Sequence, residues 1–190
     1  MVRRVVGWVV LLGAVIGVGA CTGEPSPGPT TVTVAPTEST AASPTPPAKP
    51  ERPEAMERDD AEGAAAAAQY FIEMYPYVMA TGDTAEFEAM SHDACGFCVD
   101  TLSQANQIKN RDETWTGGEI TSSLVESYEQ DALTGIFPLD VDIDQEQAVI
   151  TDAAGSVVFT GVPERAQYRV EIAQRDGEWL VVEIAPRPES

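Results

Sequence analysis

The sequence predicts an α+β domain in which N-terminal helices pack on one face of a curved antiparallel sheet. Apolar residues repeat at helical spacing between residues 59 and 110, and they alternate with polar residues from residue 119 onward. The pair Asp176-Gly177 separates two late apolar runs and is typical of a tight β-hairpin turn. Helices followed by hairpin-linked strands favour a layer of helices on an antiparallel sheet.

The first helix is predicted to begin at Asp59, which forms a capping box with Glu62 three positions later. Pro76 lies inside this helix and should kink it, because proline lacks a backbone N–H. We expect the helix to stop at Thr81-Gly82. One stripe of the helix is apolar and should be buried: Ala67, Phe71, Met74 and Val78.

Two further helices are predicted before the strands. Asp83 and Glu86 repeat the capping pattern for a short second helix that carries Phe87 and Met90. A third helix follows Cys98 and should end near Asn110. Its residues with the spacing of a buried face are Val99, Leu102, Ala105 and Ile108.

Short runs of alternating or continuous apolar residues predict the strands. They start near Ile120, Leu139, Ala148, Val157, Tyr168 and Trp179. Between Leu139 and Asp144, three apolar residues alternate with Asp140, Asp142 and Asp144, so we expect these aspartates on the solvent face of a strand. A calcium loop is the less favoured interpretation, because Gln145 and Thr151 stand where such a loop needs glycine and glutamate.

Residues 1–20 have the anatomy of a secretory signal peptide: Arg3 and Arg4, an apolar run from 5 to 18, and two small residues. The sequence Val18-Gly19-Ala20-Cys21 resembles the lipobox of bacterial lipoproteins. The resemblance implies a diacylglycerol thioether on Cys21, which would anchor the chain in the cell membrane on its extracytoplasmic face. An uncleaved membrane anchor is less favoured, because the apolar run is shorter than the ~20 residues of a spanning helix.

Residues 21–53 are rich in Pro, Ser and Thr and lack apolar periodicity, which predicts a disordered, semi-stiff linker before a domain at 54–190. The chain has 11 basic and 31 acidic residues. Removal of Arg3 and Arg4 with the signal peptide leaves 9 against 31, a formal charge of −22. Such a charge excludes nucleic-acid binding, because the chain would repel phosphate groups.

Cys95-Gly96-Phe97-Cys98 is the motif with intrinsic reactivity. With Cys21 lipidated, Cys95 and Cys98 remain as a pair in an oxidising compartment, which predicts one structural disulfide that pins the second and third helices. A thiol–disulfide catalyst is a less favoured alternative, because no strand–helix–strand frame surrounds the motif. A zinc site with His92 is weaker still, because it lacks a fourth ligand.

The segment from Arg52 to Cys98, which includes "ATGDTAEFEAMS", together with the final hairpin "RDGEWLVVEI", resembles nuclear-transport-factor-2-like (NTF2-like, or SnoaL-like) cone domains. The same segment is similar to an uncharacterised domain family of actinobacterial lipoproteins. This resemblance implies a cone fold and an envelope location, and it implies no chemistry.

The sequence identifies no catalytic residue, no cofactor and no metal site. Cone-fold enzymes can use a tyrosine paired with an acid, and the candidate side chains are Tyr70, Tyr75, Tyr77, Tyr128 and Tyr168. Trp115 and Trp179 are expected in the core. We therefore expect a non-enzymatic domain that binds a small apolar ligand or another envelope protein, with a homodimer through the open sheet face as a further option. A cone-fold enzyme acting on a small apolar substrate is the main alternative.

Overall fold

The computed structural model describes residues 47–187. The predicted signal peptide, the lipidation site Cys21 and most of the predicted linker lie outside the described residues. Among residues 47–187, no helix is long and apolar enough to cross a membrane.

Four α-helices precede the strands, after a single 3-10 turn at Glu54–Glu57. They are α1 (Ala61–Glu73), α2 (Tyr75–Thr81), α3 (Ala85–Ala89) and α4 (Gly96–Asn110). The predicted stripe of the first helix is buried, and each of its four side chains is at most 1% exposed. The hydrophobic periodicity therefore located the packed face correctly.

The start and the middle of the first helix differ from the prediction. Asp60, not Asp59, is the N-cap, and its carboxylate accepts hydrogen bonds from the backbone N–H groups of Glu62 and Gly63. The Arg58 guanidinium also binds the Asp60 carboxylate. At Pro76 the helix ends and restarts rather than kinks, because the proline sits in the first turn of α2, where a missing N–H breaks no bond.

The α2 helix ends where the sequence predicts, but the next helix begins differently. Gly82 adopts φ 64° and its N–H donates to the carbonyl of Val78, a left-handed helix end that favours glycine. Thr84 is the N-cap of α3 and makes no side-chain capping bond. Asp83 accepts a hydrogen bond from the Tyr77 hydroxyl at 2.7 Å instead of capping α3.

Helix α4 buries Ala105 and Ile108 as its apolar spacing predicts, and Leu102 is partly buried against the core, but Val99 is not buried. Val99 is 54% exposed, whereas Cys98, Thr101, Ala105 and Ile108 are buried. The prediction therefore holds for the C-terminal half of α4 and fails in its first turn, where Cys98 rather than Val99 is buried.

Seven strands form two antiparallel sheets. They are β1 (Thr114–Gly117), β2 (Ile120–Ser127), β3 (Ile136–Gln145), β4 (Ala148–Thr151), β5 (Val157–Thr160), β6 (Glu164–Arg175) and β7 (Glu178–Pro186). The four-stranded sheet has the order β2-β3-β6-β7, and the three-stranded sheet has the order β1-β4-β5. Asp176 and Gly177 both have positive φ in the predicted β6–β7 turn.

The two sheets are joined by a bend in one long hairpin. The first strand of this hairpin is β1 followed by β2, and the second is β3 followed by β4, with backbone bonds across the bend between Gly118 and Gln147 and between Glu119 and Glu146. Gly117 has φ 71°, and a Cβ at this position would meet the Gln147 carbonyl oxygen. A glycine is therefore required where the hairpin folds over.

Helix α1 packs on the inner face of the four-stranded sheet, and α4 packs against α2, β1 and β7. The core between these layers includes Phe71 stacked on Phe87, with ring centroids 4.1 Å apart. Trp179 is 1% exposed and donates its indole N–H to the Met56 carbonyl, and Trp115 is also buried. Helices packed on a bent antiparallel sheet form the α+β cone that the sequence predicts.

Candidate functional site

An apolar pocket lies between the helices and the inner face of the four-stranded sheet. Its volume is about 190 Å³. The apolar and aromatic side chains that line it are Ile72, Tyr75, Phe97, Ile120, Ile143, Tyr168 and Ile184. The pocket therefore offers a ligand mainly hydrocarbon and aromatic surface.

The residues that line the pocket lie near the ends of helices or at inward-facing positions of strands. Ile72 lies in the last turn of α1, Tyr75 opens α2, and Phe97 lies in the first turn of α4. On the sheet, Ile143 and Tyr168 point inward from neighbouring strands, because side chains two residues apart share one face. The break between α1 and α2 therefore brings Tyr75 to the pocket.

Polar groups are few and lie toward the rim. The Tyr168 hydroxyl donates to the Glu164 carboxylate at 2.7 Å, and burial, together with that carboxylate, raises the pKa of Tyr168 to about 12. Burial also raises the pKa of Tyr75, whose ring contacts Phe97 and Trp115 at centroid distances of 5.9 and 6.0 Å. Both phenols are thus neutral hydrogen-bonding groups at neutral pH.

The other candidate tyrosines lie elsewhere. Tyr77 pairs with Asp83 near the surface. Tyr70 is buried, and this burial raises its pKa to about 12. Tyr128 lies beyond the outer face of the sheet, where its hydroxyl lies within hydrogen-bond distance of the Glu126 and Asp140 carboxylates. The structure therefore brings two of the five predicted tyrosines, Tyr75 and Tyr168, into one site.

Cys95 and Cys98 form a disulfide with Cα atoms 5.2 Å apart, and both side chains are fully buried. The bond does not pin the second helix to the third as predicted, because Cys95 is the N-cap of α4 and Cys98 lies in its first turn. The bond instead closes that single turn. Its burial disfavours thiol exchange, which requires an attacking thiolate to reach a sulfur atom.

His92 lies in the turn before the disulfide, where its Nδ1 accepts the Ala94 N–H at 3.1 Å. Within residues 47–187, no three His, Cys, Asp or Glu side chains are grouped so that they could hold a metal ion.

Asp140 lies on the strand face that the sequence predicts but is more deeply buried than expected. It was expected on the solvent face of β3, and it does point to the outer face, but its side chain is fully buried. Arg169 Nε at 2.5 Å, Arg187 Nε at 3.0 Å and the Tyr128 hydroxyl at 2.8 Å cover its carboxylate. Arg169 holds the pKa of Asp140 below its usual range, against the opposing effect of burial. The signal that could have indicated this burial is an acidic residue, Asp140, on one strand and a basic residue, Arg169, at the position opposite it on the neighbouring strand.

The end of the predicted linker also contacts the domain. Lys49 Nζ lies 2.6 Å from a Glu86 carboxylate oxygen, and Arg52 Nη1 lies 3.2 Å from the other. Glu86, expected in a cap, is thus the partner of two basic residues that precede residue 54. Sequence periodicity could not show this, because the segment is too polar and proline-rich to display any.

Comparison with known proteins gives a family and a fold. The model of a family described as "Family of unknown function (DUF6318)" matches residues 34–185. No curated protein is significantly similar to the chain.

Several solved structures resemble the domain at low sequence identity. The intermembrane space region of chloroplast protein ARC6 is 12% identical, covers 70% of this chain and 99% of its own, and has a TM-score of 0.52. A hexachlorocyclohexane dehydrochlorinase (LinA) Type2 is 14% identical, with coverages of 66% and 90% and a TM-score of 0.39. Aln2 from a Streptomyces species is 13% identical, with coverages of 63% and 85% and a TM-score of 0.37. At this level of identity, similarity extends to the fold alone.

Proposed function

Because the chain belongs to the family of unknown function DUF6318, we propose its role from its own residues: it is a non-enzymatic, membrane-anchored lipoprotein that binds a small apolar molecule. The ligand occupies the pocket between the helices and the four-stranded sheet, and the lipid on Cys21 holds the domain at the extracytoplasmic face of the membrane.

The apolar pocket is the observation that carries this proposal. Its volume of about 190 Å³ is similar to that of an engineered apolar cavity of ~150 Å³ that binds benzene. A single ring or a short alkyl chain is therefore the size of molecule that the enclosed part can take. Burial of such a group against Ile72, Ile143 and Ile184 supplies the favourable free energy.

The polar groups of the pocket support binding rather than proton transfer. A general acid or base works best when its pKa lies near the operating pH. The pKa of Tyr168 is raised to about 12, so this phenol keeps its proton at neutral pH.

Native mass spectrometry tests the binding role. We would isolate the full chain from its own cell envelope and look for a bound small molecule. Ile143→Trp fills the pocket and should abolish the bound mass. Val158→Trp makes the same kind of enlargement at an exposed position and should leave it unchanged.

Co-purification of the same molecule with the pocket-filled variant, shown to be folded by circular dichroism, would contradict the proposed site. Complete absence of a bound molecule from the unaltered protein, even after incubation with small apolar compounds, would contradict the binding role itself.

The membrane anchor is tested separately with the full chain. Cys21→Ser removes the acceptor of the lipid, and we expect the protein to leave the membrane fraction or to accumulate with its leader uncleaved. A variant that is processed and retained in the membrane to the same extent as the wild type would refute lipidation.

A second candidate role, association with a protein by strand addition, is favoured by β5. This strand ends the order β1-β4-β5, and Val157, Val158 and Phe159 are 61%, 52% and 47% exposed. An apolar edge strand can pair with a strand of another chain. If a second copy is the partner, native mass spectra will contain a dimer that Val158→Lys dissociates.

A further inference from the structure

The apolar pocket adjoins a second hollow. This hollow has a volume of about 310 Å³ and shares Tyr75, Gln145 and Glu164 with the pocket. Trp115, Phe159 and Val162 add apolar surface to it. A bound molecule can therefore extend beyond the enclosed pocket and place a second part in the more open hollow.

The charged side chains that line the two cavities are all acidic. Glu164 lines both cavities and Glu146 lines the hollow, and both side chains are exposed at the rim. No Lys, Arg or His lies among the residues that line the two cavities in the described part of the chain. The formal charge of −20 over the whole chain acts in the same direction.

The nearest basic residue along the chain does not neutralise the rim. Arg165 follows Glu164, but successive side chains of a strand point to opposite faces of the sheet. Its guanidinium pairs with Asp144 at 2.8 Å on the outer face. Among the described residues neither glutamate has a basic partner, and the Glu164 carboxylate accepts one hydrogen bond from the Tyr168 hydroxyl.

From this arrangement we infer that the ligand is a cationic amphiphile, an alkyl or aryl amine. Its apolar part enters the pocket, and its ammonium group lies in the hollow near Glu164 and Glu146. Aromatic rings such as those of Trp115 and Phe159 also attract cations. Fatty acids and anionic phospholipids are disfavoured, because their head groups would meet two carboxylates and no positive charge. This inference rests on the proposed binding function and adds the chemical class of the ligand.

Three probes with one alkyl chain and different head groups test the inference: octylamine, octanol and octanoate. We would titrate each into the chain from Thr22 onward by calorimetry at low ionic strength and below the micellar concentration. We expect octylamine to bind most tightly, octanol next and octanoate least. Exposed ion pairs contribute modestly and are screened by salt, so we expect about a tenfold difference between amine and carboxylate that shrinks in salt.

Matched variants assign the preference to the rim. Glu146→Gln with Glu164→Gln should bring the three affinities within about twofold of one another, the difference expected when screened surface charge alone remains. Glu57→Gln with Glu129→Gln changes the net charge equally at exposed positions remote from the cavities and should keep the preference. Ile143→Trp should abolish binding of all three probes.

The possible outcomes distinguish failure of this inference from failure of the proposed binding function on which it rests. Octanol binding that Ile143→Trp abolishes, with no preference for the amine, overturns the inference and leaves the binding function intact. An amine preference that persists in the rim variant, or in the pocket-filled variant, shows adsorption to the acidic surface and also overturns it. Failure of every probe to bind contradicts both proposals.

Discussion

The two faces of the four-stranded sheet bury their side chains in different ways. On the inner face, Leu139, Val141, Val170 and Ile172 are fully buried beneath the helices. On the outer face, where no helix packs in the described residues, the fully buried side chain is the Asp140 carboxylate. On the inner face, apolar side chains pack together and exclude water. On the outer face, polar side chains cover a single carboxylate and exclude water from it.

The outer face can bury a carboxylate because the strand register brings its partners to it. Arg169 lies directly opposite Asp140 on β6, and its guanidinium also stacks over the Tyr128 ring at 4.5 Å from the centroid. Arg187 reaches the same carboxylate from beyond the end of β7. Each buried carboxylate oxygen thus has charged or hydroxyl donors, as a buried charge requires.

A second pair on the same two strands lacks this cover. Asp144 and Arg165 also lie opposite each other, and their side chains pair at 2.8 Å, but they are 42% and 83% exposed. The same residue types in the same register thus form a buried pair at one end of the strands and a solvated pair at the other. The two ion pairs therefore have the same residue types and the same register, and they differ in how far their side chains are buried.

Truncation of the inner face should have the largest effect. Leu139→Ala leaves a cavity at a fully buried position, and we expect a loss of about 2 to 5 kcal/mol in the free energy of unfolding, measured by urea denaturation. Leu133→Ala, at a position that is 96% exposed, should change it by less than about 0.5 kcal/mol. Equal effects of the two substitutions would mean that the inner face is not the core.

Removal of one arginine from each ion pair should have an intermediate effect. Arg169→Met takes the closest partner from a buried carboxylate, and we expect a loss of about 1 to 3 kcal/mol, because Arg187 and Tyr128 remain. Arg165→Met removes the partner of a solvated carboxylate and should cost at most about 1 kcal/mol. The contrast between the two faces fails if Arg165→Met is the more damaging substitution.

The pH dependence of stability should show the smallest effect. Because the pKa of Asp140 is lowered in the folded state, its contribution is present above the unfolded value of about 3.9 and is lost as the pH falls through the folded pKa. We therefore expect Asp140→Asn to lower the urea midpoint at pH 7 and to approach the wild type below pH 4. Asp142→Asn makes the same change of charge at an exposed neighbouring position and should leave the urea midpoint at pH 7 nearly unchanged. A constant offset for Asp140→Asn across this range would exclude a depressed pKa.

Much of the fold followed from local pattern. The helical stripe from Ala67 to Val78, the glycine end at Gly82 and the Asp176-Gly177 turn were each predicted, because they depend on residues close together in the sequence. The strands Ala148–Thr151 and Val157–Thr160 start where the sequence predicts. The uncharacterised family and the cone fold were also predicted correctly, whereas its assignment to actinobacterial lipoproteins stays a prediction.

Some local details and the contacts between distant residues were missed. Asp60 rather than Asp59 caps α1 and binds Arg58, and the apolar Val99 is 54% exposed. For the candidate site, the sequence named Tyr75 and Tyr168 among five tyrosines but could not select them, since their meeting requires the helix break at Met74 and the pairing of β3 with β6.

By itself the sequence determined that helices precede strands, the acidic charge and the pattern of small residues before Cys21, because each is a property of neighbouring residues or of composition. It did not predict β1 or the division of the first helix into α1 and α2. Only the tertiary structure decided the depth of each side chain. An alternating pattern shows which face of a strand a residue occupies, but whether that face is covered depends on what other strands and helices place above it. Asp140 and Asp144 share one face of β3, and the tertiary structure buries the first and exposes the second.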